Sequence, residues 1–205
     1  LLIFPIRGIA GPAATPAAWV LMGLAVLAKG PIGALIPLGV AVVAALGLRR
    51  FEVPRLVTPL SVVLFVAVAA PWFVAVYLDQ GFHFIEVFIL NHNLQRFTST
   101  VHNHPGPFYY YIPVLLLGTF PWTGLIAPAV GAAARMERAS RVSIAAWLSV
   151  PLLLFSLAGS KLPGYILPCL PPLAIGLAFA ARDLRSPERA LVRRVAGLIG
   201  LIVAA

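Results

Sequence analysis

About seven times along its length the sequence returns to an apolar run long enough, or nearly long enough, to cross a lipid bilayer. A spanning helix needs about 20 mostly apolar residues, because each residue rises about 1.5 Å through a hydrocarbon core about 30 Å thick. The runs fall at roughly 13–28, 31–48, 58–77, 108–131, 142–158 and 164–181, with a further one over 195–205. This pattern predicts an all-α fold, a polytopic transmembrane helical bundle forming part of one domain over residues 1–205. Composition agrees: 61% of the 205 residues are apolar and only 10% are charged, against about 25% charged in a soluble domain. Such hydrophobicity excludes disorder. The single cysteine, Cys169, excludes an intrachain disulfide framework and a Cys-rich zinc module. The chain starts at Leu1 without a charged segment and cleavage site, and stops inside the apolar stretch Val195–Ala205. It is expected to be a piece of a longer protein, and its first residues are not read as a signal peptide.

The 19 prolines do not forbid helices. Many, such as Pro31, Pro59 and Pro163, sit at span ends, where a missing N–H costs little. Others, such as Pro113, Pro121 and Pro151, are expected to kink spans or mark their wetter ends. Orientation follows from the basic residues. If the loops alternate sides, twelve of the 15 Lys and Arg residues fall on one side, among them Arg49, Arg135, Arg138 and Arg182. Only Lys29, Arg96 and Lys161 fall on the other. The positive-inside rule makes the first side cytoplasmic. The net charge of +9 is thus mostly a topology signal. The arginines are spread over short loops with no basic, aromatic-interleaved helix, so no nucleic-acid partner is expected.

The working face is expected to be the outer one. Its largest loop, 78–107, holds all four histidines together with Asp79, Glu86 and Arg96. Within it, Phe82–Phe97 reads as an interfacial helix. His102 and His104 lie in a Pro/Gly-bounded turn and lack the third and fourth ligands that a metal site needs. The aromatic run Phe108–Tyr111 that opens the next span reads as an interfacial belt. Lys29, in Leu27–Gly33 (LAKGPIG), and Lys161, in Ser160–Pro168 (SKLPGYILP), sit at outer span ends. A lone lysine there can simply snorkel to the interface. Yet the three outer cations break a rule that the rest of the chain obeys. Converged, they suit a lipid-linked phosphate, Lys as a point charge and Arg as a fork.

LAKGPIG, Pro71-Trp72-Phe73, Asn91–Phe97 (NHNLQRF), His104–Tyr111 (HPGPFYYY) followed by Pro113 and Pro121-Trp122, and SKLPGYILP occur in this order. Together they resemble the bacterial GT-C membrane glycosyltransferases related to the protein O-mannosyltransferases, of the glycosyltransferase family 39/83 type. The subgroup resembled is that of the lipid A aminoarabinose transferases, over roughly Ala17 to Ala180. The resemblance implies transfer of a sugar from a polyprenyl-phosphate carrier to a lipid A-like glycolipid or a protein acceptor. The place implied is the outer, periplasmic face of the cell inner membrane, among membrane lipids. It implies a carrier-phosphate site of Lys29, Arg96, Lys161 and Tyr165. His92 falls where contact with a divalent metal or with phosphate is plausible, and no other cofactor is implied. Asn91 and Asn93 flank it where the subgroup often carries an acidic residue. The catalytic Asp of the family is expected N-terminal to this stretch.

Fixed cations suit such a reaction, because negative charge grows on the departing phosphate and is best stabilised in the transition state. Two other classes remain open at this level. A transporter or flippase for an anionic lipid or solute predicts mid-membrane ionisable residues and internal repeats. A non-catalytic membrane scaffold leaves the three outer cations to snorkelling.

Overall fold

The computed structural model describes residues 14–49, 57–85, 106–182 and 194. Every regular element among them is helical. Helices α1 (Ala14–Lys29) and α2 (Ile32–Leu48) form a hairpin. Helices α3 (Pro59–Gln80) and the short α4 (Phe82–Ile85) follow. Helix α5 (Tyr111–Gly118) leads through a 3-10 turn (Trp122–Leu125) into α6 (Ile126–Ala133). Helix α7 (Arg138–Leu157), a 3-10 segment (Pro163–Cys169) and α8 (Leu170–Arg182) complete the described chain.

Among the described residues, three helical stretches are long and apolar enough to cross a membrane: Pro59–Gln80, Arg138–Leu157 and Pro163–Arg182. At about 1.5 Å per residue, the 22 residues of α3 span about 33 Å, enough to cross a hydrocarbon core about 30 Å thick. Large apolar side chains such as Leu35, Val63 and Val130 point outwards from the bundle. That is the arrangement a helix needs when its solvent is lipid.

Local sequence explains where the helices begin and turn. Thr58 caps α3, its Oγ1 accepting from the Ser61 N–H at 3.2 Å, and Pro59 occupies the first turn, where its missing N–H is no loss. Between α1 and α2, Gly30 takes φ 73°, a left-handed conformation that glycine adopts at least cost. Gly33 then lets the two helices touch: a Cβ there would stand 2.5 Å from the Ala25 backbone. Much of LAKGPIG is therefore hairpin geometry, and Lys29 is its exposed polar member. Helix α1 packs on α3 through Gly23 against Val68 and an edge-on contact of Trp19 with Phe65 at 6.0 Å. Helix α2 packs on α7, with Gly39 against Val150 and Gly47 against Val142.

The span expected over 108–131, with Pro121 as a kink or a wetter end, is broken. Helix α5 and the stretch Trp122–Ala133 bend by 107°. Pro121 cannot donate into a helix and its ring clashes with the preceding turn, so the ladder stops there. Thr123 Oγ1 donates to the freed Leu116 O at 2.6 Å, and Thr119 Oγ1 adds a bond of 2.8 Å to Leu115 O, which also accepts the Thr119 N–H at 3.0 Å. Such substitution is what allows irregular backbone at membrane depth. The interfacial helix expected over Phe82–Phe97 begins as α4, and its remainder lies outside the described residues, as does the 195–205 run.

The bundle has two distinct ends. At one, Arg138 Nη2 donates to Gly47 O at 3.3 Å, beside Arg49 at the close of α2. At the other, Ile32 and Ile36 of α2 pack against a buried cluster of Tyr111, Leu115, Phe155, Ile166 and Cys169. Both the Lys29 turn and the loop after α7 emerge at this second end.

Candidate functional site at the Lys161 loop

Helix α7 ends at Leu157, and Ala158 turns extended with ψ 142°. Leu162 is extended too, at φ −126° and ψ 141°, as the residue before a proline prefers. The loop between them, Ala158–Leu162, folds inwards. Ser160 is 1% exposed and Lys161 only 6%. The Lys161 ammonium donates to Ala158 O at 2.6 Å. Among the described residues no carboxylate pairs with it. An ammonium held away from water with a single carbonyl partner is an expensive arrangement unless an anion shares the site.

Aromatic rings wall the loop. Tyr165 stacks on Phe155 with centroids 5.3 Å apart, and Phe155 in turn meets Tyr111 at 6.4 Å. Tyr110 stands edge-on to Tyr111 at 5.1 Å. The Tyr111 phenol lies against the Leu162 backbone, close enough to interact with it. From the far side, Gly106 abuts the Lys161 stem: a Cβ there would be 3.0 Å from Lys161 Cδ and 3.3 Å from the Tyr110 ring. The glycine of HPGPFYYY thus clears room for the lysine of SKLPGYILP.

The structure therefore brings Lys161 and Tyr165 to one end of the bundle, with Lys29 exposed at the end of α1 three residues before Ile32, which joins the same apolar cluster. Lys161 does not snorkel; its side chain turns into the protein. Arg96 and His92 lie outside the described residues. Among the described residues no group of three His, Cys, Asp or Glu side chains is arranged to hold a metal. The aromatic run divides: Phe108 and Tyr109 are exposed as a belt would be, whereas Tyr111 is buried in the core. Burial of Tyr111 corrects its reading as a belt residue. Its signal in the sequence is helical phase, since Tyr111 and Leu115 are one turn apart and share the buried face. Ser160 was visible within its motif but carried no signal of burial.

These features define a polytopic helical membrane protein with a buried cation at one end of its bundle that no carboxylate among the described residues pairs with. No protein-family profile matches the chain. Individual proteins match it well. It is 39% identical over 179 residues to the undecaprenyl phosphate-α-4-amino-4-deoxy-L-arabinose arabinosyl transferase of Pectobacterium carotovorum, covering 81% of this chain and 32% of that protein. It is 40% identical to the transferase of the same name from Aeromonas hydrophila, covering 88% of this chain and 34% of that protein. The crystal structure of ArnT from Cupriavidus metallidurans bound to undecaprenyl phosphate superposes with a TM-score of 0.80 at 29% identity, over 99% of this chain and 37% of that one. The apo form of the same protein gives 0.77 at 28% identity, over 99% of this chain and 36% of that one. The chain is a homologue of the undecaprenyl-phosphate aminoarabinose transferases, a GT-C glycosyltransferase family, and spans about a third of the length of the relatives it matches.

Proposed function

We propose that the chain is part of a membrane glycosyltransferase that takes aminoarabinose, or a closely similar sugar, from an undecaprenyl-phosphate carrier and delivers it to a lipid A-like acceptor. The supporting observation is the buried Lys161 ammonium with one carbonyl partner, in a chain homologous to transferases named for that donor. The acceptor oxygen attacks the anomeric carbon, the bond from that carbon to the phosphate oxygen breaks, and the carrier phosphate leaves with one more negative charge. Lys161 stabilises that charge, and its low-dielectric setting makes the attraction stronger than it is in water. Tyr165 supplies a phenolic donor from the 3-10 segment beside it. Lys29 and Arg96 complete the phosphate site, Arg96 by a two-pronged grip that lysine does not reproduce. His92 is a further contact to the phosphate or to a divalent metal. The base that activates the acceptor belongs to a part of the protein N-terminal to this stretch.

The face of the membrane follows from charge. Lys29 and Lys161 emerge opposite the arginine-rich end of Arg49 and Arg138, and arginine-rich ends stay cytoplasmic. The site then opens on the periplasmic side of the inner membrane, where a lipid-linked donor takes the place of a nucleotide sugar. The reading is tested by assaying transfer from the undecaprenyl-phosphate-linked sugar to lipid A with full-length enzyme carrying Lys161→Gln. A fall in kcat/KM of about 10- to 100-fold is expected, the range for one lost charged hydrogen bond. Wild-type kinetics would refute it.

A further inference from the structure

Two buried side chains at this loop have hydroxyls left short of partners among the described residues. The hydroxyls of Ser160 and Tyr111 are both sealed from solvent; that of Ser160 has no hydrogen-bond partner among the described residues, and that of Tyr111 has only the Leu162 backbone beside it. Each of these residues is 1% exposed. Buried hydroxyls are nearly always partnered, because an orphan loses its water without compensation. Alanine and phenylalanine would keep much the same packing and remove the penalty. Two such under-partnered hydroxyls in one place call for a role.

They are gathered around one cation. Ser160 directly precedes Lys161, and the Tyr111 phenol faces the backbone of Leu162, which directly follows it. Lys161 has three N–H donors and spends one on Ala158 O. Two ammonium hydrogens and the Ser160 hydroxyl are thus unused at this loop, and the Tyr111 phenol keeps its O–H to donate even where its oxygen meets the Leu162 backbone. A hydroxyl can donate or accept, but an ammonium can only donate, so the ammonium fixes the sign of the ligand. It must be an anion rich in acceptor atoms. A phosphate group fits, since several of its oxygens accept at once. A carboxylate has two.

We infer that the Ser160 and Tyr111 hydroxyls donate, together with the Lys161 ammonium, to the phosphate of the polyprenyl carrier. The inference rests on the carrier-phosphate reading of Lys161 and adds two ligands to it. Ser160 comes from the loop and Tyr111 from the first turn of α5, so the phosphate ties the loop to the broken-span element. The two hydroxyls are kept at a cost to the fold and repaid on binding. Trade-offs of this kind are common where a site must be held ready.

The test uses the full-length enzyme in lipid nanodiscs, with undecaprenyl phosphate as probe and undecaprenol as the control lacking phosphate. Ser160→Ala and Tyr111→Phe are each expected to unfold at or above the wild-type temperature without added lipid. Each is expected to bind undecaprenyl phosphate about tenfold more weakly, which is about 1.4 kcal/mol, with undecaprenol binding unchanged. Unchanged affinity for undecaprenyl phosphate in both variants overturns the inference. So does a lowered unfolding temperature with equal loss for both lipids, which would make the hydroxyls supports of the fold. Lys161→Gln, run in parallel, separates the two levels. If it weakens binding while the hydroxyl variants do not, only the hydroxyl assignment falls; if it does not, the phosphate reading itself falls. Should one hydroxyl variant not fold, the other carries the same test.

Discussion

Gly106 and Lys161, 55 positions apart in the chain, are packed against each other: a methyl group on Gly106 would stand 3.0 Å from Lys161 Cδ. One motif supplies the cation and the other supplies the space its stem occupies. This contact joins the segment that enters α5 to the loop that leaves α7.

Gly106→Val is therefore expected to displace the Lys161 side chain more than it disturbs the bundle. Affinity for undecaprenyl phosphate should fall by about tenfold, the order of one misplaced charged hydrogen bond. The unfolding temperature should move little. Lipid titration and thermal unfolding of the same preparation give both numbers.

Gly33→Ala is expected to act in the opposite way, on the fold and not on the chemistry. Its Cβ would lie 2.5 Å from the Ala25 carbonyl, and the backbone cannot step aside as a side chain can. Overpacking of this kind costs about 1–3 kcal/mol. Thermal unfolding in detergent should show a clear loss of stability for Gly33→Ala and almost none for Lys29→Gln, whose side chain is exposed.

At the broken span, Thr119→Val leaves the Leu115 carbonyl without its side-chain partner at 2.8 Å. Loss of that buried bond is expected to lower stability by about 1–2 kcal/mol. Thr119→Ser keeps the hydroxyl and should recover most of it. Equal stability of the Val and Ser variants would mean that the threonine does not hold the bend.

The proposed outer face is open to labelling. Leu78 and Phe82 are exposed at the end of α3 and the start of α4, while the native Cys169 is fully buried and should stay silent. A cysteine at position 82 is expected to react with an impermeant thiol reagent applied from the periplasm, and one at position 138 to be protected. The reverse pattern would invert the topology.

The all-helical, apolar character of the chain was legible because a bilayer imposes a composition that shows directly in the sequence. The break within 108–131 was not. Pro121 reads equally well as a kink in a continuous span, and the outcome depends on Thr123 reaching back across the bend to the Leu116 carbonyl. Lys29 and Lys161 looked alike in the sequence, each a lone lysine at a span end beside Gly and Pro. Their fates differ because α1 ends in a tight hairpin that leaves Lys29 outside, whereas two extended residues, Ala158 and Leu162, turn Lys161 inwards. Tyr109 and Tyr111 likewise share a residue type and a motif, and differ by their phase on α5. Tyr165 was picked out by family resemblance alone, and its stacking on Phe155 is a tertiary contact.

The most direct test replaces the buried ammonium with an apolar chain of similar length. Lys161→Met removes from the interior a charge that no carboxylate among the described residues pairs with, so the protein should unfold at the wild-type temperature or higher. Saturating undecaprenyl phosphate should raise the unfolding temperature of the wild type, since a ligand at about 100 times its Kd stabilises by about 2.7 kcal/mol. For Lys161→Met that rise should be largely lost. A rise equal to that of the wild type would contradict the assignment of Lys161 to the carrier phosphate.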